Sequence, residues 1–168
     1  NMANTTFQGP VTSKAGFITT GPANVVDADS SVSLTVATHS GKIVHNDAAG
    51  AVTYTLPATN ANSDSAIAGP GADLNNLSNV GAKFEIFSSI TKTGDLVVQV
   101  ANATDVIIGS ASFIDDSSDN MVGFETASTS DTITLNGSTT GGVTFAKIEC
   151  TVIALSLIHI SEPTRPLY

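Results

Sequence analysis

The chain has a single cysteine, no tryptophan and a single arginine. One cysteine, Cys150, excludes an internal disulfide framework. It sits within an apolar alternation, so a buried and inert thiol is expected there. The one arginine is Arg165, and the remaining cations are Lys14, Lys42, Lys83, Lys92 and Lys147. Against 15 acidic residues these leave a formal net charge of −9. That balance argues against nucleic-acid binding, which needs a positive surface and Arg forks, and against an anionic membrane surface as partner. No apolar run reaches the roughly 20 residues needed to span a bilayer. No charged-then-apolar leader opens the chain, so export by a signal peptide is not expected. With no Trp, and Tyr54 the only tyrosine before residue 155, a platform for stacking sugars is poorly supplied.

The two ends depart from the rest. Residues 155–165, LSLIHISEPTR, resemble a translated transposase-type sequencing adapter. Segments of that kind lie outside fold expectations, so 155–168 is expected to be an artefactual tail, with the natural chain running to near Ala154. Met2 rather than Asn1 is the expected start. Glu162 and Arg165 cancel, so the net charge without the tail is still −9. The run 155–160 is apolar and β-prone, and is expected to extend the last strand.

What is abundant is period-two alternation. Residues 1–22 are polar, are marked by Gly9, Pro10, Gly21 and Pro22, and predict an N-terminal arm. A single β domain is expected over 23–154. Val32, Leu34 and Val36 share one face of a strand over 31–37. Residues 42–46 and 52–56 follow, and the short link 47–50 predicts a hairpin between them. Pro57 stops the second of these. Residues 58–81, rich in Asn, Ala, Ser and Gly, predict a long loop, a length that is often functional. A helical turn is the expectation for 73–78. Strands resume at 82–90, 95–101, 105–114, 121–126, 131–136 and 143–154. The phase slips near Ala146 and Lys147, where a bulge or turn would restore register. Apolar residues on both faces at 106–108 predict a strand central to its sheet. The fold class is all-β: an antiparallel β-sandwich or barrel of about 8–10 short strands with no long helix.

Candidate chemistry is sparse. Asp115, Asp116 and Asp119 form the best calcium candidate, since calcium takes several oxygen ligands from a flexible loop. The loop lacks the glycine and distal glutamate of an EF-hand, which favours a solvated acidic turn; no metal and no cofactor are expected. Asp27 and Asp29 place two carboxylates on one face of an extended segment, as a glycosidase would need, but that chemistry also requires a raised pKa and a sugar-lined cleft. His39 and His45 flank a turn, yet zinc needs three or four ligands and no further Cys or His lies near. No local signature places a base beside a Ser or Cys nucleophile. No catalytic residue is expected.

Three stretches carry a family likeness: MANTTF at 2–7 followed by Gly9, Pro10 and Val11; VANATD at 100–105 with Gly109 after it; and TASTSDTITLNGSTTGG at 126–142. Together they resemble a group of small virion structural proteins of marine tailed bacteriophages, the head-decoration or head-fibre proteins. The likeness spans most of residues 2–154 and implies a further strand beyond that point. It implies a non-enzymatic protein of the capsid surface, made in the host cytoplasm. The implied partners are the major capsid protein and further copies of itself, most simply a trimer, with no nucleic acid and no membrane. Contacts are expected from Phe7, Val11, Phe17 and Ile18 of the arm and from Ile67, Leu74 and Leu77 of the 58–81 loop. The alternative is a receptor- or glycan-binding module of a tail fibre, which an exposed aromatic platform would favour. A hydrolase would need Asp27, Asp29 or the acids of 115–119 to converge in a cleft with shifted pKa values.

Overall fold

The protein is seen in a computed structural model that describes residues 24–60, 79–115, 120–154 and 156–161. Eleven strands appear among them: β1 (Val25–Asp27), β2 (Val32–Ser33), β3 (Ile43–Asn46), β4 (Val52–Thr55), β5 (Lys83–Ser88), β6 (Leu96–Gln99), β7 (Val106–Asp115), β8 (Asn120–Glu125), β9 (Thr132–Leu135), β10 (Ala146–Ala154) and β11 (Leu157–Ser161). The one helical element is a single turn, α1 (Val36–His39). The protein is therefore all-β, in two sheets. The larger has the order β1-β3-β5-β10-β11-β7-β8 and the smaller β2-β4-β6-β9.

From β1 to β6 the chain crosses to the other sheet after every strand, so each sheet gains one parallel strand per turn of a coil. β1, β3 and β5 are parallel neighbours, and so are β2, β4 and β6. This corrects the expectation of purely antiparallel pairing. Antiparallel ladders begin only at β5–β10, β10–β11, β7–β8 and β6–β9. It also corrects the hairpin over 42–56, since β3 and β4 lie in different sheets. A strand with one apolar face satisfies its pattern equally well beside its neighbour or across the core from it. Here Val44 faces the core from one sheet while Val52 and Tyr54 face it from the other.

Inward side chains stack in rows along the register. Val44, Ile86 and Ile148 form one row, Phe84, Cys150 and Ile160 a second, and Val152, Ile158 and Ile107 a third. All nine are buried. Leu96, Val98 and Leu135 answer them from the smaller sheet in the same core cluster. Even-numbered inward positions at 148–152 stand as expected, and the phase slip is a turn. Phe145 takes φ 68°, and Ala146 N–H donates to Val143 C=O at 3.1 Å just before β10 begins.

The strand expected over 31–37 is cut short. Thr35 caps α1, its hydroxyl accepting from Thr38 N–H at 3.3 Å. Leu34 is buried, but Val36 is exposed on that turn. Threonine's side-chain bond to the backbone competes here with ladder formation. β7 is flanked on both sides, by β11 and β8, yet Ile108 on its outward face is exposed.

Residues 157–161 form a separate strand rather than prolonging β10. The chain reverses at Ser156, at φ 60°, and β11 inserts antiparallel to β10 and parallel to β7. Gly109 makes this possible. It sits at φ 153°, and a Cβ there would overlap the Ile160 carbonyl oxygen, a position that only glycine fills without strain. The arm candidates Phe7, Val11, Phe17 and Ile18, the loop candidates Ile67, Leu74 and Leu77, and the helical turn expected over 73–78 lie outside the described residues.

Candidate functional site

On the larger sheet the alternation that sends Val26, Val44 and Ile86 inward must send Asp27, His45 and Phe87 outward. The ladder sets these three side by side, Asp27 opposite His45 and His45 opposite Phe87. Ser89 follows β5, its N–H bonded to Asn46 C=O at 3.0 Å. The result is a chain of side-chain hydrogen bonds. His45 Nδ1 lies 3.1 Å from Asp27 Oδ1, and His45 Nε2 lies 2.8 Å from Ser89 Oγ. An ionised carboxylate only accepts, so in neutral His45 the Nδ1 carries the proton. That leaves Nε2 to accept from the Ser89 hydroxyl. The imidazole also stacks on Phe87, with centroids 6.4 Å apart and planes at 26°. Phe87 in turn meets Phe145 at 6.1 Å, and Phe145 is 61% exposed.

Two further carboxyls adjoin this row. Asp47 N–H donates to Asp29 Oδ1 at 3.0 Å. That bond holds Asp29 below the usual carboxylate range, while the hydrogen bond that the Asp47 carboxyl donates to Asp29, together with the Asp29 charge, pushes Asp47 up. Asp27 and Asp29 therefore do not act as a pair. Each has taken a different partner, and two hollows of the described surface are lined by other residues. One, of ≈ 670 Å³, is bounded by Ile108, Ser110, Gly123, Glu125 and His159. The other, of ≈ 190 Å³, opens between β8 and β9 beside Ala111, Phe124, Ile133 and Ile160. Neither is lined by Asp27, Asp29 or Asp47. His39 and His45 are likewise committed separately, His39 Nδ1 accepting from Thr35 N–H at 2.9 Å. Among the described residues no three His, Cys, Asp or Glu side chains gather as a metal set. Of the calcium candidates, Asp116 and Asp119 lie outside the described residues and Asp115 closes β7.

Beneath the outward row lies a buried polar network. Asn46 is fully buried, its Nδ2 donating to Ala28 C=O at 3.2 Å and its Oδ1 accepting from Lys92 Nζ at 3.0 Å. Lys92 also donates to Ala48 C=O, and the Tyr54 hydroxyl to Ala28 C=O. Burial lowers the Lys92 pKa and pushes Tyr54 up to about 12. This network ties β3 to β4 across the core and fixes the crossings on which Asp29 and Asp47 sit. Among the described residues, every buried side-chain nitrogen or oxygen has a hydrogen-bond partner.

These groups set the alkaline limit of the fold. Burial pushes Cys150 from its ordinary 9.0 up to about 12. The unfolded chain therefore gives up that proton first and binds fewer protons between these pH values. Stability contributed by Cys150 is complete below pH 9 and is lost as pH rises towards about 12. Tyr54 acts in the same direction from about 10 upward, while the lowered Lys92 value acts against both. Urea midpoints at successive pH values are expected to fall from pH 9 onward, and Cys150→Ala to flatten the first part of that fall. A midpoint that rises across the same interval would show Lys92 dominant.

Sequence reasoning did not join Asp27, His45 and Ser89, because they are 18 and 44 residues apart. One signal was present. VVDAD at 25–29 and IVHND at 43–47 share two apolar residues, a polar one and a final Asp at the 18-residue offset of the β1–β3 register.

No helix among the described residues is long and apolar enough to cross a membrane. Comparison with protein-family models, with curated proteins and with solved structures finds no match to this chain.

Proposed function

We propose that this chain is a structural protein of a phage virion, a sandwich-like β body seated on the outer capsid surface as one copy of a homo-oligomer, with the major capsid protein as its partner. The observation that carries this is the inequality of the two sheets, seven strands against four. It leaves the flank of β7 and β8 uncovered beyond β9, where Val122 is 40% and Phe124 38% exposed. Apolar side chains on a sheet flank, next to β8, the outermost strand among the described residues, are what a partner segment can cover. The acidic charge of −9 keeps such a body dispersed until it docks, and the role needs no catalysis. Co-sedimentation with purified undecorated capsids tests it. Saturable binding at a fixed ratio to the capsid protein, weakened at least tenfold by Phe124→Ser, is expected. Binding that is absent, or indifferent to that change, would overturn it.

A second reading has its own observation. The half-buried Phe87 and the exposed Phe145 form an aromatic surface beside His45, which favours a receptor- or glycan-binding module of a tail fibre. Adsorption to host cells that Phe145→Ser removes, without capsid binding, would establish it in place of the first.

A further inference from the structure

We propose that Ser89 is the nucleophile of an ester-hydrolysing site in which His45 is the general base and Asp27 orients it. The proposal goes beyond the capsid role and is independent of it. The relay occupies β1, β3 and the end of β5, at the opposite edge of the larger sheet from the β7–β8 flank.

The geometry supplies the nucleophile, the base and the carboxylate that orients it. A serine hydroxyl is a weak nucleophile until a base accepts its proton, and the base works only in one tautomer and one orientation. Asp27 at 3.1 Å from Nδ1 selects the tautomer, and the Nε2 lone pair is left 2.8 Å from Ser89 Oγ. The three backbones are held independently of the side chains. Asp27 and His45 are register partners on parallel strands, and Ser89 N–H is anchored on Asn46. Stacking on Phe87 keeps the imidazole from swinging away. The carboxylate is the most solvent-exposed member, its side chain 68% accessible against 27% for His45. A polar cross-strand ladder alone would not require both imidazole nitrogens to be engaged in this order.

The substrate class follows from the surroundings. The site is an open face with Phe87 and the exposed Phe145 alongside, so it suits a carboxylic ester whose aryl or alkyl group rests on those rings, presented on a small molecule or a surface. Ser89 Oγ attacks the carbonyl carbon while its proton passes to His45 Nε2. The ester C–O bond then breaks, and the leaving alkoxide takes that proton, giving an acyl-Ser89 and free alcohol. Water, deprotonated by His45, attacks the acyl group and releases the carboxylic acid, and Ser89 recovers its proton. The sum is ester plus water to acid plus alcohol.

The test is covalent labelling by an alkyl fluorophosphonate, with the modified peptide located by mass spectrometry, alongside hydrolysis of p-nitrophenyl butyrate. Wild-type protein is expected to be labelled at Ser89. Ser89→Ala should remove the label and lower the hydrolysis rate by about 10²-fold, the lower end of what a positioned base contributes. His45→Gln, which keeps a polar side chain in the row, should slow labelling as strongly while leaving the far-UV circular dichroism unchanged. Asp27→Asn, whose amide can donate to Nδ1 and leave the proton on Nε2, should slow it as well. No Ser89 adduct on wild-type protein, at reagent concentrations that fully modify a control serine hydrolase, would overturn the proposal. That arm decides even where a variant fails to fold. Equal labelling of wild type and a folded His45→Gln variant would overturn it as well.

Discussion

Removing residues 157–161 is expected to abolish the native fold. β11 lies between β10 and β7 and is hydrogen-bonded to both. Without it the larger sheet separates into β1-β3-β5-β10 and the β7–β8 pair. A two-stranded ribbon has little stability in water by itself. The lost strand also withdraws Ile158 and Ile160, 1% and 5% exposed, from the rows they share with Val152, Ile107 and Cys150. Truncating one such buried isoleucine to alanine costs about 2–5 kcal/mol. Two of them, together with the ladders on both sides, match the whole stability of about 5–15 kcal/mol typical of a domain. The shortened chain should lack a cooperative urea transition, whereas Ile158→Ala alone should keep one at a lower midpoint. A cooperative transition in the shortened chain with an unchanged slope would show that β11 is dispensable.

Lys92→Met is expected to destabilise the fold by about 2–4 kcal/mol. The thioether replaces most of the aliphatic stem but ends the bonds to Asn46 Oδ1 and Ala48 C=O. Leaving a buried acceptor unpaired costs about 1–3 kcal/mol, and here one fully buried and one half-buried acceptor are left. An opposing contribution comes from no longer burying an ammonium group, which can make removal of a buried charge neutral. The bonds outweigh it because Lys92 is 3% exposed and Asn46 fully buried, so water cannot take the vacated positions without opening the crossing between β3 and β4. Asn46→Leu added to Lys92→Met removes the orphaned amide oxygen and should restore part of the loss, a coupling that a double-mutant cycle measures. Urea melts decide the matter. A single variant more stable than wild type would mean that burying the charge costs more than its bonds return.

Alternation made much of the core legible. Leu96, Val98 and Val100, and Ile148, Cys150 and Val152, are inward as their parity requires. Where parity misled, the cause was physical. Ile90, in phase with Phe84 and Ile86, falls beyond the end of β5 and is 36% exposed. The crossing at 47–51 reads as a hairpin link because period two says which face a residue takes and nothing about which sheet holds its strand. What distinguishes the two here is a set of long-range bonds, Asp47 to Asp29, Gly94 to Ala49 and Lys92 to Ala48. The same blindness hid the Asp27–His45–Ser89 row, whose members meet only because coil turns stack. β11 shows the converse. LIHIS fills a central place in the sheet because Ile158 and Ile160 point in and His159 points out, and alternation suffices for that slot. The VANATD stretch has become a structural knot. Asn102 Oδ1 accepts from Thr104 and Asp105 N–H, and the buried Asp105 accepts from Thr59 N–H and hydroxyl.

The two described ends of the 58–81 segment are tied to each other. Asn79 N–H donates to Asn60 C=O at 2.8 Å, Asn60 N–H to Asn79 Oδ1 at 2.8 Å, and Asn79 Nδ2 to Ala58 C=O at 2.8 Å. The chain thus leaves and re-enters through one clasp made by three reciprocal amide bonds. Once a clasp fixes both ends, doubling the chain between them costs only about 0.6 kcal/mol in closure entropy. Asn60 and Asn79 are therefore a fixed pair of anchors for whatever chain lies between them. Lengthening the chain between these anchors is expected to leave the urea midpoint of the two-sheet coil nearly unchanged.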